Sequence, residues 1–488
     1  MASTSYGYVV LLLIICVWRW QSCEGVNGVG FDIHHRFSDP VKSMFGVTNE
    51  FPEKGTMEYY DAMVHRDRFH GRRLAGQTDH KTPLTFSAGN ATLSIPELGF
   101  LYYANVSIGT PASWYLVALD TGSGLFWLPC DCSSNCVRSY EFSPTETIEF
   151  NIYSLSTSST GTRLSCSSPL CERSCLPSES YCPYRVEYLS ANTSSSGYVV
   201  QDLLHLTTDN ANSQAIDVKI PFGCGVIQTG HFLEAGAPNG LFGLSMDVVS
   251  LPSVLASQEL VANSFSMCFS PDGIGRISFG DKGSQNQSQT PVLQNRLMVY
   301  TVKLTNVSVG LDSFAANLNV IFDTGTSFTL LADPVYSLLT EKFNSQVKNR
   351  RVGVHPDSAF QFCYLMTSKP DDLVVPAIRL TMRGGDKLSV VQPWIMIVED
   401  DTRFYCLAVI KSDHDISIIG ENFMTGYRVV FDNEKPAVGW TPSDCGESVP
   451  FSPNLSPRRS SATSFLHRGY LAFAIILVQF FSVQLMVL

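Results

Sequence analysis

Short apolar runs that end in turn residues recur along the chain and predict many β-strands. Residues 102–108 and 301–309 alternate apolar with polar positions and then reach a glycine, as strands do before a turn. One helix is expected, with Asp333 as its N-cap and Pro334 as its first residue. Its apolar residues fall on one face: Val335, Leu338, Leu339, Phe343 and Val347. Helical periodicity is otherwise sparse, so the pattern predicts an all-β (β-rich) fold.

The two halves of the chain repeat one pattern, in which an apolar run leads into Asp-Thr-Gly and a hydroxyl residue. Residues 117–123 and 320–326 are the two copies. An Asn-Val-Ser segment precedes each copy, and an apolar pair with a glycine follows each, at 241–243 and 418–420. The repeat predicts two pseudo-symmetric lobes, each of which contributes one aspartate, and the two short apolar segments are expected to pack beneath the active loops.

Length and composition agree with two lobes. A chain of 488 residues exceeds what one hydrophobic core usually supports. It has 44% hydrophobic residues, 35 Gly and 25 Pro, which suits a sizeable core and many turns. Residues 91–285 are assigned to the N-terminal lobe and residues 286–447 to the C-terminal lobe.

The first residues have the features of a secretory signal. Residues 9–17 form a short apolar run that is followed by small residues, with cleavage expected near Cys23 or Gly25. A membrane anchor is the alternative, but the run is short for a span. Residues 1–24 are therefore assigned to a signal peptide.

The last residues resemble a lipid-anchor signal. Residues 470–488 are apolar and reach the terminus without a following charge. Small residues and a polar spacer precede them, as at a glycosylphosphatidylinositol (GPI) attachment site: Ser460, Ser461 and Ala462. A transmembrane helix is the alternative, weakened by the polar residues Gln479, Ser482 and Gln484. Residues 448–488 are assigned to a linker and GPI-attachment tail, so the expected location is the extracellular face of the plasma membrane or the apoplast.

The segment between signal and lobes differs in charge from the rest. Residues 25–82 contain eight Lys or Arg, eight Asp or Glu and five His, whereas residues 83–457 contain 21 Lys or Arg against 35 Asp or Glu. This contrast favours a propeptide over residues 25–90 that docks electrostatically, with Arg72-Arg73 as a candidate processing site. A solvated leader without an inhibitory role is the alternative.

Cysteine usage indicates an oxidising compartment. Of 14 Cys, two lie in the signal, and the remaining 12 suffice for six disulfides. Seven crowd after the first Asp-Thr-Gly: Cys130, Cys132, Cys136, Cys166, Cys171, Cys175 and Cys182. A zinc site at Cys130, Cys132 and Cys136 is the alternative, but no His accompanies them. Six sequons add to the case for secretion: Asn90, Asn105, Asn192, Asn286, Asn306 and Asn454.

Asp120 and Asp323 are the candidate catalytic residues. A carboxylate at the end of an apolar strand needs hydrogen-bond donors. Gly122 and Gly325 allow tight turns that direct N–H groups at it, and the Ser123 and Thr326 hydroxyls can donate from the side. Thr121 and Thr324 complete the two loops around the aspartates.

Such a pair can activate water without a metal or cofactor. Two adjacent carboxylates cannot both ionise easily, so the pair holds one proton and titrates as a unit. The ionised member accepts a proton from water, and the protonated member donates to a peptide carbonyl. The alternative, that each Asp-Thr-Gly is only a strand-ending turn, is weakened by the matched duplication.

Other chemistries find little support in the sequence. It contains no Gly-rich phosphate loop, no His-Glu-x-x-His and no Gly-x-Ser-x-Gly. The acidic body is a poor partner for nucleic acid. No metal or other cofactor is expected.

The combined motifs resemble those of the pepsin-like aspartic proteases. The two Asp-Thr-Gly copies, Trp127 and the apolar-apolar-Gly segments carry the likeness. The cysteine-rich segment, Phe-Gly-Cys-Gly at 222–225 and three late cysteines are similar to the nepenthesin-like branch of plants: Cys363, Cys406 and Cys445. The resemblance covers residues 95–447 and implies a bilobal fold with a central cleft.

The resemblance also implies site residues and bridges. A hairpin flap would cross the cleft, with Tyr188 as the flap tyrosine and Trp127 as its hydrogen-bond partner. Residues 189–194 depart from the family's Gly-rich flap tip. The implied disulfides are Cys224 with Cys445 and Cys363 with Cys406, and the other eight cysteines stay unassigned.

The sequence therefore predicts a monomeric, secreted aspartic endopeptidase whose partners are protein or peptide substrates, its own propeptide and the membrane that holds its anchor. The runner-up is a catalytically weak binding or inhibitor protein on the same scaffold. The unusual flap tip is the feature that favours this alternative.

Overall fold

A computed structural model describes residues 102–445 with short gaps, and four pieces of the preceding chain at 32–34, 57, 84–86 and 91–92. The gaps are 133–134, 144–145, 172–174, 177–179, 189–192, 209–213, 235–236, 272–273, 295, 297, 355–357, 368, 400–401 and 413–414. The described residues all belong to one compact unit, residues 1–448. The predicted signal peptide, most of the predicted propeptide and the predicted anchor tail lie outside them.

The described residues form 29 strands. Three come before residue 102: β1 (Asp32–His34), β2 (Leu84–Phe86) and β3 (Ala91–Thr92). Thirteen follow in the first half: β4 (Tyr103–Ile108), β5 (Ser113–Asp120), β6 (Trp127–Pro129), β7 (Ser139–Ser143), β8 (Glu146–Glu149), β9 (Thr162–Arg163), β10 (Pro183–Glu187), β11 (Ser194–Thr208), β12 (Ala215–Thr229), β13 (Leu241–Gly243), β14 (Ser264–Phe269), β15 (Ile274–Phe279) and β16 (Ser288–Pro291).

The second half contributes the remaining strands. They are β17 (Thr301–Val309), β18 (Asp312–Phe322), β19 (Thr329–Leu331), β20 (Arg351–Val352), β21 (Cys363–Leu365), β22 (Ile378–Met382), β23 (Lys387–Ser389), β24 (Trp394–Glu399), β25 (Thr402–Leu407), β26 (Val409–Lys411), β27 (Ser417–Ile419), β28 (Tyr427–Asp432) and β29 (Ala437–Pro442).

Helices in the described residues are few and short, as the sequence predicts. They are α1 (Leu251–Ser257), α2 (Val335–Gln346) and α3 (Glu421–Met424), with 3₁₀ turns at Gly230–Glu234 and Pro370–Asp372. Helix α2 confirms the helix expected after Asp333-Pro334, although Pro334 occupies the N-cap. Asp333 still stabilises the N-terminus of this helix, because its Oδ1 accepts hydrogen bonds from the Ser337 N–H at 3.2 Å and from the Ser337 hydroxyl at 2.7 Å.

Two sheets place the candidate aspartates in equivalent positions. The nine-stranded sheet of the first half has β13 parallel to β5, so that Gly243 pairs with Asp120. The seven-stranded sheet of the second half has β27 parallel to β18, so that Ile419 pairs with Phe322, the residue before Asp323. A four-stranded sheet, β20-β21-β25-β24, adjoins the second half. The two apolar-apolar-Gly segments therefore support the two aspartate loops, as predicted.

A third large sheet draws on both halves of the chain. Its order is β16-β29-β28-β14-β15-β1-β3, and β14 pairs antiparallel with β28 over six residues. The sheets thus cross the assigned lobe boundary at residue 285. Strand β1 of the predicted propeptide also joins this sheet, where Ile33 pairs with Gly275 of β15.

Six disulfides account for all twelve cysteines after the signal. They are Cys130–Cys224, Cys132–Cys136, Cys166–Cys175, Cys171–Cys182, Cys268–Cys445 and Cys363–Cys406. The implied Cys363–Cys406 bridge is present, because these residues are paired neighbours on β21 and β25. Disulfide formation also leaves no thiolate for the zinc alternative at Cys130, Cys132 and Cys136.

The implied Cys224–Cys445 bridge is wrong. Strand β12 runs beside β6, and the Cys130 N–H donates to the Gly225 carbonyl at 2.9 Å, which brings Cys130 next to Cys224. Cys445 instead follows β29 and lies against Cys268 of β14. The register of neighbouring strands, which spacing along the chain does not reveal, determines both pairs.

The sequons fall in different environments. Asn105 lies in β4 with only 7% of its surface exposed, which leaves no room for a glycan and disfavours the predicted attachment there. Asn286 is exposed and Asn306 is half-buried. Asn90, Asn192 and Asn454 lie outside the described residues, where attachment stays a prediction. Among the residues described, no helix is long and apolar enough to span a membrane.

Candidate active site

The two candidate aspartates lie at the ends of apolar strands and are almost fully buried. Asp120 is the last residue of β5 and is 0% exposed, and Asp323 directly follows β18 and is 1% exposed. The last six residues of β5 are all buried, so the strand itself carries the carboxylate into the interior. A buried carboxylate is stable only with hydrogen-bond donors around it.

Each carboxylate has the same two donors. For Asp120, the Gly122 N–H donates to Oδ1 at 2.8 Å and the Ser123 hydroxyl donates to Oδ2 at 2.5 Å. For Asp323, the Gly325 N–H donates to Oδ1 and the Thr326 hydroxyl to Oδ2, both at 2.8 Å. The donors expected from the repeated motif are therefore present in both copies.

Thr121 and Thr324 join the two loops through reciprocal hydrogen bonds. The Thr324 N–H donates to Thr121 Oγ1 at 2.9 Å, and the Thr121 N–H donates to Thr324 Oγ1 at 3.2 Å. Each hydroxyl in turn donates across to the other strand, Thr121 to the Phe322 carbonyl at 3.1 Å and Thr324 to the Leu119 carbonyl at 3.3 Å. Four hydrogen bonds thus hold the loops in one relative position.

The two carboxylates converge on the glycines between them. A Cβ on Gly122 would lie 2.9 Å from Asp323 Oδ1 and 3.1 Å from Asp120 Oδ1. One on Gly325 would lie 2.5 Å from Asp120 Oδ1 and 3.0 Å from Asp323 Oδ1. Neither glycine has a positive φ. Close approach of the opposite carboxylate, rather than turn conformation, therefore requires glycine here.

Further backbone bonds attach both loops to the strands beneath them. The Leu244 N–H donates to the Asp120 carbonyl at 2.8 Å, and the Ser245 N–H donates to the Ser123 carbonyl at 3.0 Å. In the other copy, the Asp323 N–H donates to the Ile419 carbonyl at 3.1 Å. The dyad is consequently preorganised, with little freedom to separate.

Tyr188 and Trp127 meet as the flap assignment implies. The Trp127 indole N–H donates to Tyr188 Oη at 2.7 Å. The structure adds Phe232, whose ring packs edge-on against Trp127 at 4.8 Å and Tyr188 at 5.0 Å between centroids. Tyr188 is 8% exposed, and burial, followed by the charge of Asp120, raises its pKa well above the usual value. Tyr188 therefore stays protonated beside the carboxylates.

Sequence reasoning missed two parts of this site. It grouped Thr121 and Thr324 with the loops without expecting their cross-links, although a threonine at the same place in both copies was a usable signal. It did not find Phe232, since an isolated aromatic residue carries no pattern.

The arrangement is suited to acid–base chemistry at one point. Each carboxylate has a donor on both of its oxygens, and both carboxylates approach Gly122 and Gly325. Two carboxylates in such proximity favour the state in which the pair holds one proton, because like charges oppose the ionisation of both. One member can then accept a proton while the other donates one. Neither member has a fixed role, because the donors around them match.

Two protein families and several plant aspartic proteases are similar in sequence to this chain. Residues 102–281 match the family described as Xylanase inhibitor N-terminal, and residues 298–442 match the family described as Xylanase inhibitor C-terminal. The chain is 46% identical over 460 residues to Aspartyl protease family protein 1 of Arabidopsis thaliana, covering 93% of this chain and 89% of that protein. It is 30% identical over 369 residues to Aspartic proteinase nepenthesin-1 of Nepenthes gracilis, covering 71% and 78%.

A solved structure shares the architecture. Basic 7S globulin from soybean superposes with a TM-score of 0.57 at 19% identity, covering 76% of this chain and 98% of that one. Identity at this level shows the fold alone, which is bilobal and β-rich in both.

Proposed function

This chain belongs to the pepsin-like aspartic protease family, in its nepenthesin-like plant branch, and we propose that it is an active aspartic endopeptidase. The observation that carries the proposal is the pair of Asp-Thr-Gly loops. Both aspartates are present, both have their two donors, and the threonine cross-links hold them face to face.

The proposed reaction is a direct attack of water on a peptide bond. The ionised carboxylate takes a proton from water as its oxygen bonds to the carbonyl carbon, and the protonated partner gives its proton to the carbonyl oxygen. As the resulting diol collapses and its C–N bond breaks, the amine nitrogen takes the proton from the dyad, and one diol hydroxyl gives its proton back to the other carboxylate as it becomes the carbonyl of the new carboxylic acid. The pair therefore again holds one proton, and the cycle is balanced.

Tyr188 supports the same reaction from above the dyad. Its hydroxyl accepts from Trp127, and the edge of Phe232 holds its ring in place. A flap in this position would exclude bulk water from the reacting bond and strengthen the polar interactions beneath it.

We also propose that residues 25–90 act as a propeptide. Strand β1 pairs with β15, and Met57 packs against an apolar cluster of the second lobe that includes Ile321 and Phe328. The leader thus contacts the fold that it precedes. Secretion, processing at Arg72-Arg73, N-glycosylation and a GPI anchor complete the proposal as predicted from the sequence.

Hydrolysis of a peptide library by the purified full-length protein tests this function. We expect cleavage at acidic pH that pepstatin abolishes, because pepstatin occupies the water site between the aspartates. Cleavage that persists after Asp120→Asn would overturn the mechanism. Release of the protein from membranes by a phosphatidylinositol-specific phospholipase tests the anchor separately.

A binding or inhibitor protein on this scaffold is the second candidate. The flap favours it, because Tyr188 is already buried over the dyad and the segment after it lacks the family's Gly-rich tip. Both matching family descriptions also name an inhibitor. Absence of cleavage at every pH, after removal of the leader from folded protein, would favour this function.

A further inference from the structure

Two disulfides of the Cys-rich segment lie against each other. Cys166 pairs with Cys175 and Cys171 pairs with Cys182, so the loops that the two bridges close overlap along the chain. The Sγ atoms of Cys171 and Cys175, which belong to different bridges, are 4.0 Å apart. A thiolate formed on one bridge is therefore already beside a sulfur atom of the other, where it can attack.

The four cysteines of these bridges differ in their exposure to solvent. Cys166, Cys171 and Cys175 are half-buried, whereas Cys182 is 1% exposed. A reductant in solvent can reach both ends of the Cys166–Cys175 bridge, but it cannot attack the sulfur of Cys182. A change in the bonding of Cys182 must therefore pass through Cys171.

Cys182 connects this segment to the flap, which begins with β10 and includes Tyr188. It directly precedes β10 and packs in one apolar cluster with Tyr188. Its N–H donates to the Leu164 carbonyl at 2.9 Å, and its carbonyl accepts from the Val199 N–H at 2.8 Å. The bond to Cys171 adds a covalent attachment to these hydrogen bonds at the start of the flap.

We propose that the two bridges form a redox relay, in which reduction at the surface releases Cys182 at the start of the flap. A dithiol reductant first reduces the Cys166–Cys175 bridge and itself becomes a disulfide, which leaves two cysteine thiols. The Cys175 thiolate then attacks Cys171, so that a Cys171–Cys175 bond forms and the Cys171–Cys182 bond breaks. Cys182 leaves as a thiolate and takes up the proton that Cys175 lost, and this second step involves no net oxidation or reduction.

Reduction of the other bridge leads to the same product. A dithiol that attacks the half-buried Cys171 releases Cys182 and leaves Cys171 as a thiol. The Cys171 thiolate then attacks Cys175, and Cys166 leaves as the second thiol. Both routes end with a Cys171–Cys175 bridge and thiols at positions 166 and 182.

The product bridge has a span that this chain already uses. Cys171 and Cys175 are four residues apart, as are Cys132 and Cys136, which form a disulfide. The two original bridges join residues that are nine and eleven apart, so the product closes a shorter loop at a lower entropic cost. The buried Cys182 can remain in its apolar surroundings as a thiol, because a reduced cysteine behaves as a small hydrophobic side chain.

Disulfide mapping of partly reduced wild-type protein tests the relay. Folded full-length protein is treated with limiting dithiothreitol at about pH 8, where thiolates form, and the reaction is stopped with acid. The protein is then unfolded and labelled with N-ethylmaleimide at about pH 6, where exchange is slow. We expect molecules with two thiols to contain mostly a Cys171–Cys175 bridge, with the label on Cys166 and Cys182.

Three other results would overturn the relay. The first is label on Cys166 and Cys175 with an intact Cys171–Cys182 bridge. The second is label on Cys171 and Cys182 with an intact Cys166–Cys175 bridge. The third is the absence of any form with two thiols before the protein unfolds.

Two single variants test whether Cys175 is the attacking residue. Cys166→Ser leaves a thiol on Cys175 beside the other bridge, so a Cys171–Cys175 bridge should form without any reductant. Cys175→Ser is the matched control, because it removes the same bridge but leaves the thiol on Cys166, and it should keep Cys171–Cys182 intact. An intact Cys171–Cys182 bridge in both variants would contradict the role of Cys175.

Hydrogen exchange of the backbone amides measures the effect on the flap. The amides of residues 184–188 should exchange at least about tenfold faster in the partly reduced protein, because the covalent attachment before β10 is lost. Reoxidation with glutathione disulfide should restore the slow rate, whereas equal rates in both forms would refute the release of the flap. Neither measurement requires proteolysis, so both are independent of the proposed endopeptidase function.

Discussion

The two Asp-Thr-Gly loops are built alike, whereas the segments that follow them differ. Each loop supplies one glycine N–H at 2.8 Å and one hydroxyl to its carboxylate. Four of the six disulfides lie between Cys130 and Cys224, after the first loop. After the second come helix α2 and a four-stranded sheet with one bridge. Proton transfer requires two equivalent carboxylates, while recognition of a directional peptide requires unequal walls.

Removal of either aspartate should cause the largest loss of activity, and the loss should be equal for the two aspartates. Asp120→Asn and Asp323→Asn should each reduce kcat by about a thousandfold, because one proton acceptor or donor of the pair is lost. Asp372→Asn, an exposed carboxylate, serves as the control. Full activity in either single variant would break the symmetry on which the mechanism depends.

Removal of a disulfide that closes a long loop should reduce stability more than removal of one that closes a short loop. Cys130 and Cys224 are 94 residues apart and Cys132 and Cys136 are four apart. Replacing both members of the longer bridge by Ser should lower the free energy of unfolding by about 5 kcal/mol, against about 2 kcal/mol for the shorter one. Denaturant melts under non-reducing conditions measure this difference.

The corrected pairing has its own readout. Cys224→Ser should leave the buried Cys130 as a free thiol, which alkylation after unfolding under non-reducing conditions detects, and leave Cys445 protected by Cys268. Alkylation of Cys445 instead of Cys130 would support the Cys224–Cys445 bridge that the family resemblance implies.

The threonine cross-links should be equivalent between lobes. Thr121→Val and Thr324→Val each remove a hydroxyl that accepts one buried hydrogen bond and donates another, so each should cost about 1–3 kcal/mol of unfolding free energy. Thr402→Val, at an exposed strand position, should change stability little. A cost from one variant but not the other would show that one loop alone supports the pair.

The flap belongs to the first half of the chain alone, and we expect a change in it to have the smallest effect on catalysis. Tyr188→Phe removes the acceptor of the Trp127 indole N–H, and we expect kcat/KM to fall about threefold to tenfold. Tyr181→Phe, on an exposed ring, is the matched control. No change with Tyr188→Phe would mean that the flap closes without this hydrogen bond.

The same contrast explains how far the sequence could predict the structure. The aspartates, their donors, strands 102–108 and 301–309 and helix α2 follow from local patterns, since each depends on neighbours along the chain. The predicted disulfide between Cys224 and Cys445 was wrong because the register of β12 against β6 determines the partner of Cys224. The sequence also did not reveal that the opposite carboxylate requires glycine at positions 122 and 325, or that Asn105 is buried. Both facts depend on residues that are distant in sequence.

The dependence of kcat/KM on pH for wild-type protein, from about pH 3 to about pH 7, tests the central claim most directly. Two carboxylates that share one proton predict a bell-shaped profile in the acidic range, which falls on one side as the pair gains a second proton and on the other as it loses the first. A rate that rises steadily to neutral pH would contradict a shared proton between Asp120 and Asp323.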